Sequence, residues 1–156
     1  MDAVFARGFG AGNLFTNSAR LAYLQDMLAN PVNPRNGLRI DTKANDLRGW
    51  TPLAPVLLCG GHGDATVSFA TNTEGMRQLW AQLPSGLVTT LDVDAQPGSA
   101  LDPFIAERLG FAVVKEATLA LARLQGEDAE WELARNYHAA LFPFCASAAR
   151  RFFSIF

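Results

Sequence analysis

Basic charge is sparse and scattered in this sequence. Among 13 Lys and Arg residues no run exceeds Arg150-Arg151, and the formal net charge is −2. Binding to nucleic-acid phosphates needs a basic stripe, so the composition argues against such a partner. No apolar run approaches the ~20 residues that a membrane-spanning helix requires. Met1 is followed by Asp2 rather than by a basic and then apolar leader, so no secretory signal is expected in these residues. The compartment stays open: soluble, and secreted or periplasmic if an upstream part carries a signal. Histidine is scarce, only His62 and His138. There is no H-x-x-x-H spacing, and neither a metal nor a cofactor is expected. Cysteine is equally scarce. Cys59 and Cys145 both lie in apolar segments, where two buried thiols or a disulfide would fit. Most telling is the lack of a serine in a G-x-S-x-G turn. Ser18, Ser68, Ser85, Ser99, Ser147 and Ser154 all lie off any strand-to-helix turn between small residues, and read as cap, turn or surface positions.

What is abundant is apolar surface. Of 156 residues 49% are hydrophobic and 18% charged, with 11 phenylalanines and 3 tryptophans. That suffices for one domain with a sizeable core. It also suggests that part of the surface packs against something else.

Residues 1–15 show no clear period and read as a flexible lead-in. Leu21, Leu24 and Leu28 predict a helix capped by Thr16 or Asn17 and ending before Asn30-Pro31. A short helix over 40–47 follows a turn at 33–37. The run 56–59 is apolar on both faces, as in a parallel strand covered on both sides. Phe69, Thr73, Met76, Trp80 and Leu83 mark one helical face, and 87–93 is a β-branched second strand. Strand, helix and strand make a βαβ unit with an expected right-handed crossover. A long helix over 103–124 ends at Gly126. A more polar helical stretch covers 127–136, and an amphipathic helix closes the chain from Phe142.

The chemistry concentrates at Asp64 and His138. Asp64 sits in Gly60-Gly61-His62-Gly63-Asp64, just past the end of the first strand, where α/β sheets place their active sites. The glycines are expected to let this loop turn through positive φ. A carboxylate behind an imidazole fixes its tautomer and stabilises the imidazolium that forms on proton uptake. The alternative role for Asp64 is an Asx-turn or a cap for the helix near Ser68. His138, expected on a loop or at a helix start, follows Asp64 by 74 positions (138 − 64). An acid and then a histidine, in this order, form the second part of a Ser…Asp…His set. His62, two residues from Asp64, is too close in sequence for that role and reads as pocket-lining or surface.

Residues 50–72, WTPLAPVLLCGGHGDATVSFATN, resemble the acid-bearing segment of the α/β-hydrolase superfamily. There a strand ends in a G-x-x-D-x-x-V loop that leads into a helix. Residues 136–153, NYHAALFPFCASAARRFF, are similar to its histidine segment. NPVNPRNGLR, at 30–39, resembles the lid-to-strand region of secreted lipase, esterase and peptidase-like members. The resemblance spans roughly residues 30–156 and implies a partial three-layer α/β-hydrolase fold. Its short parallel sheet, of two or three strands, would be flanked by helices. The chain would then be a single domain, 1–156, forming the C-terminal portion of that fold, with 97–135 as a helical insert or cap.

The resemblance makes Asp64 the triad acid and His138 the base, with His62, Val67 and Tyr137 as substrate-binding candidates. It implies a serine hydrolase of small ester or acyl substrates, inactive alone because the nucleophile lies elsewhere. The expected partner is the N-terminal half of that fold, or a second copy at the open sheet edge. A different class of reading is a non-catalytic, self-associating interaction module on the same scaffold.

Overall fold

A computed structural model describes residues 15–83 and 86–156. The lead-in expected over 1–15 and Ser85 fall, but for Phe15, outside these residues. The chain divides into two compact units, one up to Trp50 and one from Thr51 to Phe156.

In the first unit, helix α1 (Asn17–Ala29) is capped by Thr16, whose hydroxyl accepts from the Ala19 amide. Helix α2 (Gly37–Ala44) is capped by Asn36. Asp26 ties the two together. Its carboxylate accepts from the Arg35 and Asn36 amides at 3.0–3.1 Å and from Arg39 Nη1 at 2.8 Å. A 3₁₀ turn, Leu47–Gly49, follows. Leu21, Leu24, Met27 and Leu28 of α1 are exposed.

The second unit is a small α/β fold. Strands β1 (Val56–Gly60) and β2 (Val88–Asp92) pair in parallel, Val56 opposite Val88 through Gly60 opposite Asp92. They are the only strands among the described residues, at the low end of the two or three expected. The crossover carries a π-helical turn, Ala70–Glu74, and then helix α3 (Gly75–Ala81), where one longer helix was expected. Helix α4 (Ile105–Gln125) ends at Gly126, which takes the left-handed conformation that glycine tolerates.

Helix α5 (Ala129–Phe153) runs unbroken where two helical pieces were expected, with Pro143 inside it. Proline removes one helical hydrogen bond, and its ring crowds the carbonyl four residues back. Helix α5 makes up that loss by packing along α4 and onto β1. The crossing is close. A Cβ on Gly110 of α4 would lie 2.7 Å from the Phe144 ring of α5. Leu91, Val93, Phe104, Phe111, Tyr137, Leu141, Ala148 and Phe152 form the core. Phe111 meets Tyr137 and Phe144 edge-on, with ring centroids 5.1 and 5.7 Å away.

Cys59 of β1 and Cys145 of α5 are joined by a disulfide, which resolves the two alternatives left by the sequence. Among the described residues no helix is long and apolar enough to cross a membrane.

Candidate functional site

Asp64 follows β1 in a turn closed by its own amide on the Gly61 carbonyl, at 3.0 Å. Its Oδ1 accepts from the Thr66 and Val67 amides at 2.8 and 3.0 Å, which is the Asx-turn the sequence offered as the alternative role. Its Oδ2 is left for another donor, and that donor is His138 Nδ1, 2.6 Å away. One carboxylate therefore both closes the Asx-turn and bonds the imidazole, and its side chain is 2% exposed. Every lone-pair direction in use points at a fixed donor, so the carboxylate is held rigidly.

His138 lies in the middle of α5, not on a loop or at a helix start as expected. Its side chain is half-exposed, and Nε2 has no hydrogen-bond partner among the described residues. A carboxylate only accepts, so the neutral ring carries its proton on Nδ1 and keeps a lone pair on Nε2. That is the protonation pattern of a general base.

The expected positive φ in the glycine loop is not found. Among the described residues Gly126 alone has it. The loop glycines are needed for close approach instead. A Cβ on Gly61 would lie 3.0 Å from Tyr137 Cε1 and 3.1 Å from Leu141 Cδ1. One on Gly63 would lie 2.9 Å from Tyr137 Cε2. Helix α5 presses on this loop too tightly for side chains. Gly61→Ala is therefore expected to destabilise the fold by about 1–3 kcal/mol, read from its urea midpoint.

Tyr137 is buried, and its hydroxyl accepts from the Gly63 amide at 3.2 Å and donates to Asp94 Oδ2 at 2.7 Å. It braces the loop that carries Asp64. Burial, aided by the neighbouring Asp94 carboxylate, pushes its pKa well above the ordinary tyrosine range. Ionisation is thus harder in the folded than in the unfolded chain. This stabilisation is complete below the unfolded value of about 10 and is lost as pH rises beyond it. Urea unfolding at about pH 9 and about pH 11 should show a stability drop that is smaller in Tyr137→Phe.

His62 is exposed and turns to the end of β2. Its Nδ1 lies 2.9 Å from Asp92 Oδ2, and its Nε2 lies 3.6 Å from Asp94 Oδ2. Only Nδ1 is within hydrogen-bond distance of a carboxylate, so His62–Asp92 is a second imidazole–carboxylate pair; it differs from His138–Asp64 in its more exposed acid, 20% against 2%. Lys115 of α4 completes the cluster, 2.5 Å from Asp94. The sequence reading missed Asp92, Asp94 and Lys115; an Asp-x-Asp at a strand end was the available signal. Val67 has an exposed side chain and touches the site through its amide.

The described serines follow the sequence reading. The Ser68 and Ser99 hydroxyls accept from nearby amides in turns, and Ser154 donates to the Arg151 carbonyl. Ser147 donates to the buried Glu107, and Ser18 contacts the cap residue Thr16. Among the described residues no group of His, Cys, Asp and Glu side chains could hold a metal ion.

Comparison of the chain with protein-family models, curated proteins and solved structures returns no match. The α/β class therefore rests on the chain's own parallel strands and helices, and the site on its own geometry.

Proposed function

We propose that this chain is the acid- and base-bearing C-terminal part of a serine hydrolase for carboxylic esters or peptide-like acyl substrates. Its arrangement would be of the α/β-hydrolase type. The observation that carries this is the 2.6 Å bond from His138 Nδ1 to a buried, fully engaged Asp64, with Nε2 left unpartnered. In the assembled enzyme a serine hydroxyl from the nucleophile-bearing part attacks the substrate carbonyl. His138 Nε2 takes the hydroxyl proton and then delivers it to the leaving group. Asp64 holds the ring and stabilises the imidazolium between those steps. Gly61, Gly63 and Tyr137 hold Asp64 in place. On this reading the nucleophile and oxyanion donors come from the other part, and because these groups act as a unit the chain alone is expected to be inactive.

The test is a fluorophosphonate probe read by intact mass. It is applied to the 156-residue chain and to a version expressed with the coding sequence upstream of Met1. The expected result is an adduct on the longer protein and none on the shorter. No adduct on either would remove the hydrolase reading.

One observation favours the interaction module as a second reading. Helix α4 buries Phe111 and Leu119 but exposes Leu109, Val113, Leu121 and Leu124 on its other side, beside the charged Glu116 and Arg123. Exposed apolar groups on one side of a helix are a feature of interaction surfaces. A module would bind its partner there while leaving Asp64 and His138 without chemical consequence.

A further inference from the structure

Helix α5 is attached to β1 and its loop at two places along its length. One is the Asp64–His138 bond with the neighbouring Tyr137–Gly63 bond; the other is the Cys59–Cys145 disulfide. On the strand side the two anchors are five residues apart (64 − 59), and on the helix side seven (145 − 138). Seven residues are close to two helical turns, so His138 and Cys145 share one face of α5, about 10 Å apart along its axis. Leu141 lies between them on that face and packs against Gly61.

Between these anchors the helix lacks one backbone hydrogen bond. Pro143 donates no amide hydrogen bond, and the carbonyl four residues back that loses its partner is that of Ala139, the neighbour of His138. Apolar packing on the core would tolerate a small rotation or slide of α5, because it is not directional. A 2.6 Å hydrogen bond would not tolerate it. One anchor alone allows pivoting about itself, and two anchors on the same face prevent it.

We propose that the Cys59–Cys145 bridge is a positioning device for His138, holding α5 in the rotation and register at which the imidazole meets Asp64. Its catalytic meaning rests on the hydrolase reading above. The geometric statement does not, and it can be read on this chain alone.

The experiment is nitrogen-15 NMR of the His138 ring in the full chain, in the bridged protein and in Cys59→Val/Cys145→Ala. The substitutions keep the core filled. Trimethylamine N-oxide is added to hold the variant folded, and the Leu91 and Val93 methyl signals report the core. In the bridged chain the Nδ1 proton is expected to be slow to exchange, with a single tautomer. With the core signals kept, the variant should mix tautomers and exchange that proton about tenfold faster. Leu119→Ala, a core truncation in α4 with the bridge intact, should leave the tautomer single.

An unchanged ring in the folded variant would overturn the proposal. So would a variant that cannot be held folded, since the bridge would then serve stability and not position. Failure of the fluorophosphonate test leaves this NMR result untouched, so the two readings fail separately. If both stand, the unbridged form of the longer protein should label on the order of a hundredfold more slowly, as expected for a misplaced base.

Discussion

Replacing His138 by alanine in the nucleophile-bearing protein should lower the rate of ester cleavage by about 10⁴–10⁶-fold, with KM little changed. Asp64→Asn should cost about 10⁴-fold for a different reason. The amide side chain still fits the turn, and its oxygen can accept from Thr66 and Val67. Its NH₂ would then face His138 Nδ1, and a donor there demands a lone pair on Nδ1, which forces the proton to Nε2. The ring would sit in the same place with the wrong tautomer, unable to take a proton from serine. His62→Ala is the internal control. His62 pairs with the more exposed Asp92 and not with Asp64, so its removal should change the rate by less than about threefold. Steady-state hydrolysis of a chromogenic ester measures all three. A His62 effect as large as the His138 effect would mean that the base has been assigned to the wrong histidine.

Opening the Cys59–Cys145 bridge should lower the stability of the chain by about 4–5 kcal/mol. The bridge spans a sequence separation of 86, and a loop of that size closed in the unfolded chain removes much of its entropy. The loop holds the end of β1, the Asp64 turn, α3, β2, α4 and the first part of α5, so most of the second unit is enclosed by it. Small domains are stable by only about 5–15 kcal/mol, which makes this a large share of the total. Urea unfolding with and without a phosphine reductant measures the difference. A loss under about 1 kcal/mol would mean that the unfolded chain is already compact around these segments. Such a bridge persists in oxidising surroundings and is opened by reducing ones.

Much of the framework was legible because its signals are local. The β-branched and apolar runs lie within a residue or two of β1 and β2. Thr16 caps α1 and Gly126 ends α4, as short-range hydrogen bonding and backbone sterics require. Asp64 could be singled out from the strand end and the glycines around it. The helix through Pro143 was not legible, because one missing hydrogen bond looks decisive in a sequence and is minor beside the packing of α5 on α4 and β1. His138 was consequently placed at a helix boundary when it stands within a helix. The loop glycines were read as conformational freedom; they are clearance for Tyr137 and Leu141, which lie far along the chain.

By itself the sequence determined the strand–helix–strand order, a cap at Thr16 or Asn17, the stop at Gly126 and the presence of an acid after the first strand. Each of these depends on neighbours within a few positions. Only the tertiary structure decided that Asp64 meets His138 and that His62 turns instead to Asp92. It alone decided that the two cysteines are joined. Each of those pairings links residues 30 to 86 positions apart; the register of β1 on β2 selects His62–Asp92, and how α5 lies across β1 and its loop selects the other two. No local preference encodes that placement, because it follows from the shape of the whole core.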